Sequence, residues 1–276
     1  MDLAWHGPEP DTGPLVLLLH GLAGGPTSPY IRDHAAAFAS VGLPVVAMCF
    51  RGCSGEPNRL PRGYHSGETG DLAHVLGVLR ARHPGSGVRA VGFSLGGNVL
   101  LKHLGERGGD AGVEAAAAVS VPLELAPCSR KLSEGFSRVY RLHLLRKLRA
   151  GVRGKAGVLE GHVDVASVLA AGDFESFDAR LTAPLHGFDS AEDYYARSSS
   201  RQFLSRITQP TLVIQAEDDP FMPPSVLPEA HELSASVVLE RSRWGGHVGF
   251  LGPGRRPWLP SRVASWLSEA SGQGVR

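Results

Sequence analysis

Residues Val91 to Gly97 read V-G-F-S-L-G-G, and no other stretch restricts the fold of this chain as strongly. Val88, Ala90 and Val91 suit a buried strand, and Asn98 to Leu104 (NVLLKHL) suit a helix. A serine on a tight turn between the two must adopt a strained backbone, which lifts its hydroxyl above the end of the strand. Gly92 and Gly96 give the room, since a Cβ at either place would meet the neighbouring strand or helix. The N–H of Leu95, at the start of the new helix, can point at developing negative charge. In a chain with 35 glycines a bare G-x-S-x-G also arises by chance. The strand before it and the helix after it make Ser94 a candidate nucleophile.

The other segments agree with that geometry. Leu15 to Leu19, Pro44 to Cys49, Glu114 to Val121 and Pro210 to Ala216 are apolar runs typical of buried parallel strands, and Val237 to Leu239 is a last short one. Helical patterns fall between them: Ser28-Pro29 to Gly42, residues 67–82 and Trp258 to Ala270. Alternating strands and helices predict an α/β fold with a mostly parallel sheet and helices on both faces. The alternation breaks at residues 123–206, which contain no convincing strand. This block reads as a helical cap or lid inserted into a single domain spanning 1–276, with Phe136, Tyr140, Tyr194 and Tyr195 facing a pocket. Its basic cluster, from Arg138 to Lys155, reads first as a solvated helix face and second as a surface for an anionic ligand or a membrane.

A net charge of +1 over 276 residues argues against nucleic acid as a partner. Cys49, Cys53 and Cys128 have neither disulfide-framework nor zinc spacing, and a reducing, cytoplasmic setting is the simplest expectation. Neither a signal peptide nor a membrane-spanning run is legible. No H-E-x-x-H pattern calls for a metal, and no cofactor is expected.

A serine hydroxyl needs a base, and the base needs an acid to hold its tautomer. After Ser94 come Asp218-Asp219 at a strand end and His247 in the Gly-rich loop W-G-G-H-V-G-F. His247 is the best placed of the twelve histidines. His20, beside the loop G-L-A-G-G, suits a structural role, and His65 is a weak alternative. Leu22 in that loop can offer a second N–H to an oxyanion. For the acid, Asp218 and Asp219 are both candidates; D-P-F-M-P resembles the turn after this strand in many α/β-hydrolases, where the aspartate is the triad acid, and that resemblance favours Asp219. Adjacent residues leaving a strand point in opposite directions, so Asp218 is left to serve the turn. Glu124 is a distant third.

Together HGLAGG, FRGCSGEPN, YHSGETGDL, GFSLGGN, DDPFMP and GGHVGF resemble the YheT-like branch of the α/β-hydrolase fold. That group is carboxylesterase-like and related to acylglycerol and phospholipid hydrolases. The resemblance runs from about Leu15 to Gly252. It implies Ser94 as nucleophile, His247 as base, an aspartate of the 218–219 pair as acid, and a small-molecule ester as substrate. The expected activity is ester hydrolysis through an acyl-enzyme, acting on apolar acyl groups. Lipase or thioesterase action with the same triad, and a non-catalytic binding role on this scaffold, are the alternatives; peripheral membrane contact is compatible with the first. Members of the group carry more sequence before the first strand, of which only Asp2 to Trp5 resembles the end. An exposed or patched sheet edge is therefore expected there.

Overall fold

The computed structural model describes residues 1–7, 9–10, 13–252 and 257–270. Part of the N-terminal stretch expected to patch the sheet edge (residues 8, 11 and 12) lies outside them. Seven strands form one sheet: β1 (Leu3–His6), β2 (Leu15–Leu19), β3 (Val45–Met48), β4 (Val88–Phe93), β5 (Ala115–Val119), β6 (Thr211–Ala216) and β7 (Val237–Ser242). Their order is β1-β3-β2-β4-β5-β6-β7. All neighbours are parallel except β1, which runs antiparallel to β3 with Leu3 opposite Met48. The outer edge of β3 is therefore covered by the short N-terminal strand.

The period of two along each strand builds two cores. Leu15, Leu17 and Leu19 face α2 (Thr69–Arg82) and α3 (Leu95–Arg107). Val16 and Leu18 face α1 (Pro29–Ser40) and α11 (Leu259–Glu269), which pack against each other. Strands buried on both faces have no polar side to show, so β2 and β5 are uninterrupted apolar runs. β7 lies at the other edge and runs on to Ser242, past the Val237–Leu239 read from the sequence. Its added residues Glu240 and Arg241 are charged, as suits a strand open to solvent on one side.

Strand order reverses between β2 and β4, since β3 lies on one side of β2 and all later parallel strands on the other. In open α/β sheets the crevice for a ligand opens at such a switch point, beyond the strands' carboxyl ends. The loop after β2 carries His20 to Gly25, and the loop after β4 carries Ser94. Thus the two sequence motifs meet there for a topological reason.

Between β5 and β6 the described chain holds helices and no strand: α4 (Leu125–Lys131), α5 (Ser137–Gly154), α6 (Ala156–Leu159), α7 (Val165–Ala170), α8 (Phe174–Phe177), a π turn (Asp178–Thr182), α9 (Ala183–His186), α10 (Ala191–Ser198) and a 3-10 helix (Arg201–Arg206). These helices hold their own cluster, centred on Leu145, Val152, Leu159, Val168, Phe174 and Phe177. Asn98, fully buried on α3, ties the far end of the segment to the sheet layer. Its amide donates to Ser66 O and Ser198 O and accepts from Ser200 N–H.

Candidate active site

The turn at Ser94 is strained as the motif predicts. Ser94 has φ 51° and ψ −119° and caps α3, which starts at Leu95, three residues earlier than its apolar pattern suggests. Gly96 and Gly97 hid that first turn, being poor helix formers, but the space admits nothing larger. A Cβ on Gly96 would stand 2.5 Å from Leu19 O, one on Gly92 2.5 Å from Gly96 O, and one on Gly97 2.6 Å from Val121 Cγ2. The turn is pinned by Ser94 N–H donating to Val119 O at 2.8 Å.

The loop after β2 lies close to this serine: a Cβ on Gly21 would stand 3.3 Å from Ser94 Cβ. Two phenols shape it: Gly21 N–H donates to Tyr30 Oη at 2.9 Å and Ala23 N–H to Tyr64 Oη at 2.8 Å. Leu22 lies between, and neither its N–H nor that of Leu95 has an acceptor among the described residues. Both N–H groups are thus unengaged, and Tyr30 and Tyr64, which set the loop, were not singled out by sequence pattern. His20 holds the loop from beneath. Its Nδ1 donates to Gly21 O and its Nε2 accepts from Phe50 N–H, and burial pushes its pKa down to about 4. With both ring nitrogens engaged, it is a structural histidine.

The two adjacent aspartates divide their work. Asp219, 3% exposed, accepts from Phe221 N–H at 2.8 Å and from His247 Nδ1 at 2.9 Å. A carboxylate only accepts, so the proton is on Nδ1 and the Nε2 lone pair is free to act as a base. Asp218 instead accepts from Gly245 N–H at 2.9 Å and Gly246 N–H at 2.8 Å, fixing the loop that carries the histidine. Glu124 is engaged elsewhere, paired with Arg201 at 2.8 Å.

Two strained residues complete the histidine loop. Val248 has φ 66°, a costly conformation for a β-branched side chain. Its N–H donates to Oγ of Ser120, itself at φ 50° and fully buried after β5. The ring of Phe221 stacks on His247, with centroids 3.9 Å apart and planes 7° from parallel. Ser94 Oγ and His247 form no hydrogen bond, but both face one cavity of about 660 Å³. Such bonds commonly tighten only when substrate is bound.

The helical segment supplies most of the cavity's apolar wall, including Leu144, Leu148, Leu159, Phe174, Phe177 and Leu181. Tyr194 and Tyr195 line it as well, and burial raises both phenol pKa values. Phe136 and Tyr140 do not, contrary to expectation: Phe136 is 73% exposed, and Tyr140, also exposed, packs against Phe221. Helix α5 carries apolar residues on two faces. Packing buries the face with Leu145 and Val152 and leaves Phe136 and Val139 outside. The basic cluster also splits. Lys147 and Lys155 border the cavity, and Lys155 Nζ donates to Asn58 Oδ1 and Pro61 O. Arg149 donates to Ala171 O. His65 is buried against His186 and pushed down to about 3 by desolvation first and by the neighbouring charges second, so it is uncharged. Among the described residues, no helix is long and apolar enough to cross a membrane.

Comparison with known proteins agrees with this fold. A sequence model described as the alpha/beta hydrolase fold matches residues 14–252. The chain is 40% identical over 275 residues to YheT of Escherichia coli, covering 97% of this chain and 81% of that protein. It is 31% identical to mouse phospholipase ABHD3, covering 88% of this chain and 60% of that longer protein. The esterase Pf2001 of Pyrococcus furiosus superposes with a TM-score of 0.64 at 17% identity, over 97% of this chain and 86% of the other.

Proposed function

The chain belongs to the α/β-hydrolase fold family, and on that footing we infer that it is a serine hydrolase of carboxylic esters. The observation that carries this reading is the Asp219–His247 hydrogen bond at 2.9 Å, set in the same cavity as the strained Ser94. Relatives named as esterases and phospholipases support the reaction class.

In the reaction, Ser94 Oγ attacks the ester carbonyl carbon while His247 Nε2 takes its proton. The carbonyl oxygen becomes an oxyanion held by the N–H groups of Leu22 and Leu95. Collapse breaks the bond to the alcohol, which leaves with the proton from His247. Water then attacks the acyl-enzyme, giving a proton to His247, which returns it to Ser94 Oγ as the bond to the acyl group breaks and the acid is released. Asp219 stabilises the imidazolium in both halves without itself being protonated.

Residues 123–206 act as the lid of this site. Their leucines and phenylalanines give the cavity an apolar wall suited to an acyl chain, since each buried methylene contributes roughly 0.8 kcal/mol. The test is labelling by a fluorophosphonate probe together with hydrolysis of a p-nitrophenyl ester series. The expected outcome is labelling of the wild type and none of Ser94→Ala, with turnover that depends on acyl length. An unlabelled wild type that cleaves no ester in the series would sink the reading.

A further inference from the structure

One wall of the cavity is not apolar. Asp178 opens the π turn between α8 and α9 and lines the same cavity as Ser94 and His247. Protein surrounds it, yet it is only partly buried and is one of the residues bordering the cavity. Its Oδ1 accepts from Thr182 Oγ1 at 2.6 Å and its Oδ2 from Tyr195 Oη at 2.8 Å. Ser129 Oγ stands 3.3 Å from the same phenol. No Lys, Arg or His of the described residues forms an ion pair with Asp178. Lys147 and Lys155, the cavity's lysines, are not among its partners either.

A carboxyl group enclosed beside phenylalanines is costly unless something satisfies it. Two hydroxyl donors take one lone pair on each oxygen, while a carboxylate offers about four. The remaining acceptor capacity is unmatched among the described residues, and Asp178 borders the space where substrate must lie. The local helix is π rather than α, a distortion that recurs at functional sites. The serine-hydrolase mechanism makes no use of this carboxyl group.

Resting on the ester-hydrolase reading, we propose that Asp178 anchors a polar subsite in the cavity for a hydrogen-bond-donating group of the substrate, a hydroxyl or a protonated amine. The preferred esters then carry an O–H or N–H donor on one arm and an apolar chain on the other. Thr182 and Tyr195 are positioning residues that hold the carboxyl plane toward the cavity. A site built to bond a donor discriminates against an analogue lacking it, because the acceptor is then left unmatched.

The experiment compares kcat/KM within matched esters of one medium-chain acid: 2-hydroxyethyl against propyl, and 2-(dimethylamino)ethyl against 3-methylbutyl. The acyl arm is probed with ethyl 6-hydroxyhexanoate and ethyl 6-aminohexanoate against ethyl heptanoate. In the wild type, one donor-bearing ester should exceed its apolar partner by roughly ten- to a hundredfold. Which one does so distinguishes hydroxyl from amine and alcohol arm from acyl arm. Asp178→Asn should shrink that ratio at least several-fold, and the ratio cancels any loss common to both esters. Tyr195→Phe, which frees one carboxylate oxygen, should shrink it less. Because the wild-type ratios stand alone, an Asp178 variant that fails to fold does not rescue the idea. Ratios near one on both arms, with the plain esters cleaved, overturn the subsite and leave the hydrolase reading intact. A ratio that Asp178→Asn leaves unchanged also overturns it. Absence of fluorophosphonate labelling and of all hydrolysis removes both.

Discussion

The ring of Phe221 lies flat on the imidazole of His247, 3.9 Å between centroids, and one carboxylate sets both partners. Asp219 accepts from Phe221 N–H with one oxygen and from His247 Nδ1 with the other. Asp219→Asn would keep the first bond but present an amide N–H to Nδ1. The histidine then favours the tautomer protonated on Nε2, which cannot take the serine proton. Turnover of a small activated ester should fall by about 10⁴ with little change in unfolding midpoint. Turnover within tenfold of the wild type would exclude Asp219 as the acid.

Asp218→Ala should behave differently. It removes the acceptor for Gly245 and Gly246 N–H at the exposed base of the histidine loop. Water can replace part of that bonding, so the expected cost is about 1 to 2 kcal/mol in urea unfolding. Activity should drop far less than for Asp219→Asn. A loss equal to that of Asp219→Asn would mean that the loop, not the carboxylate at Nδ1, limits the reaction.

Gly96→Ala and Gly77→Ala make a matched pair. At Gly96 the new methyl would meet Leu19 O at 2.5 Å and His20 O at 2.6 Å, backbone atoms that cannot turn aside. The expected destabilisation is about 3 kcal/mol or more, at the upper end for overpacking. Gly77 lies inside α2 with nothing within 4 Å of the methyl. There the substitution should stabilise by roughly 0.5 to 1 kcal/mol through helix propensity. Equal effects at both positions would contradict the packing described for the serine turn.

Chain-length selectivity should respond to α5 on one face only. Leu148→Trp fills the cavity and should lower kcat/KM for long acyl esters relative to short ones. Phe136→Ala removes an exposed ring, so stability should move by no more than about 0.5 kcal/mol. Its ratio of long to short esters should stay constant. A shift in that ratio from Phe136→Ala would place the acyl chain outside the cavity.

Acid should destabilise the fold before most carboxylates titrate. Desolvation lowers His20 and His34 to about 4 and His65 to about 3, so the native chain refuses protons that the unfolded chain accepts below about 6.5. Their contribution is complete above that pH and is lost as pH falls toward those lower values. Asp178, raised to about 6 by desolvation, acts in the opposite sense. Between its raised value and the ordinary carboxylate range, the native chain holds a proton that the unfolded chain has released. These three histidines against this one carboxyl give a net loss of roughly 2 to 3 kcal/mol per pH unit between about pH 6 and 4, and His6 and His103, also lowered by burial, act in the same sense. Urea midpoints that rise from pH 6.5 to 5 would refute this account.

Neighbours in sequence were enough to find the serine turn, the loop after β2, the parallel sheet and which of the two adjacent aspartates faces His247. Each depends on local rules: a strand alternates its side chains, a tight turn demands glycine, and a fully buried strand is apolar throughout. Tertiary structure decided the rest. Tyr64 reaches Ala23 across 41 positions, and Ser120 reaches Val248 across 128; neither pairing leaves a periodic trace. The tertiary fold also chose which apolar face of α5 to bury, turning Leu148 to the cavity and Phe136 outward. Helical spacing defines the faces of a helix, but only the elements packed against it select the one that leaves water. Asp178 was invisible for the same reason: an aspartate in a polar-looking segment reads as surface until the surrounding helices close over it.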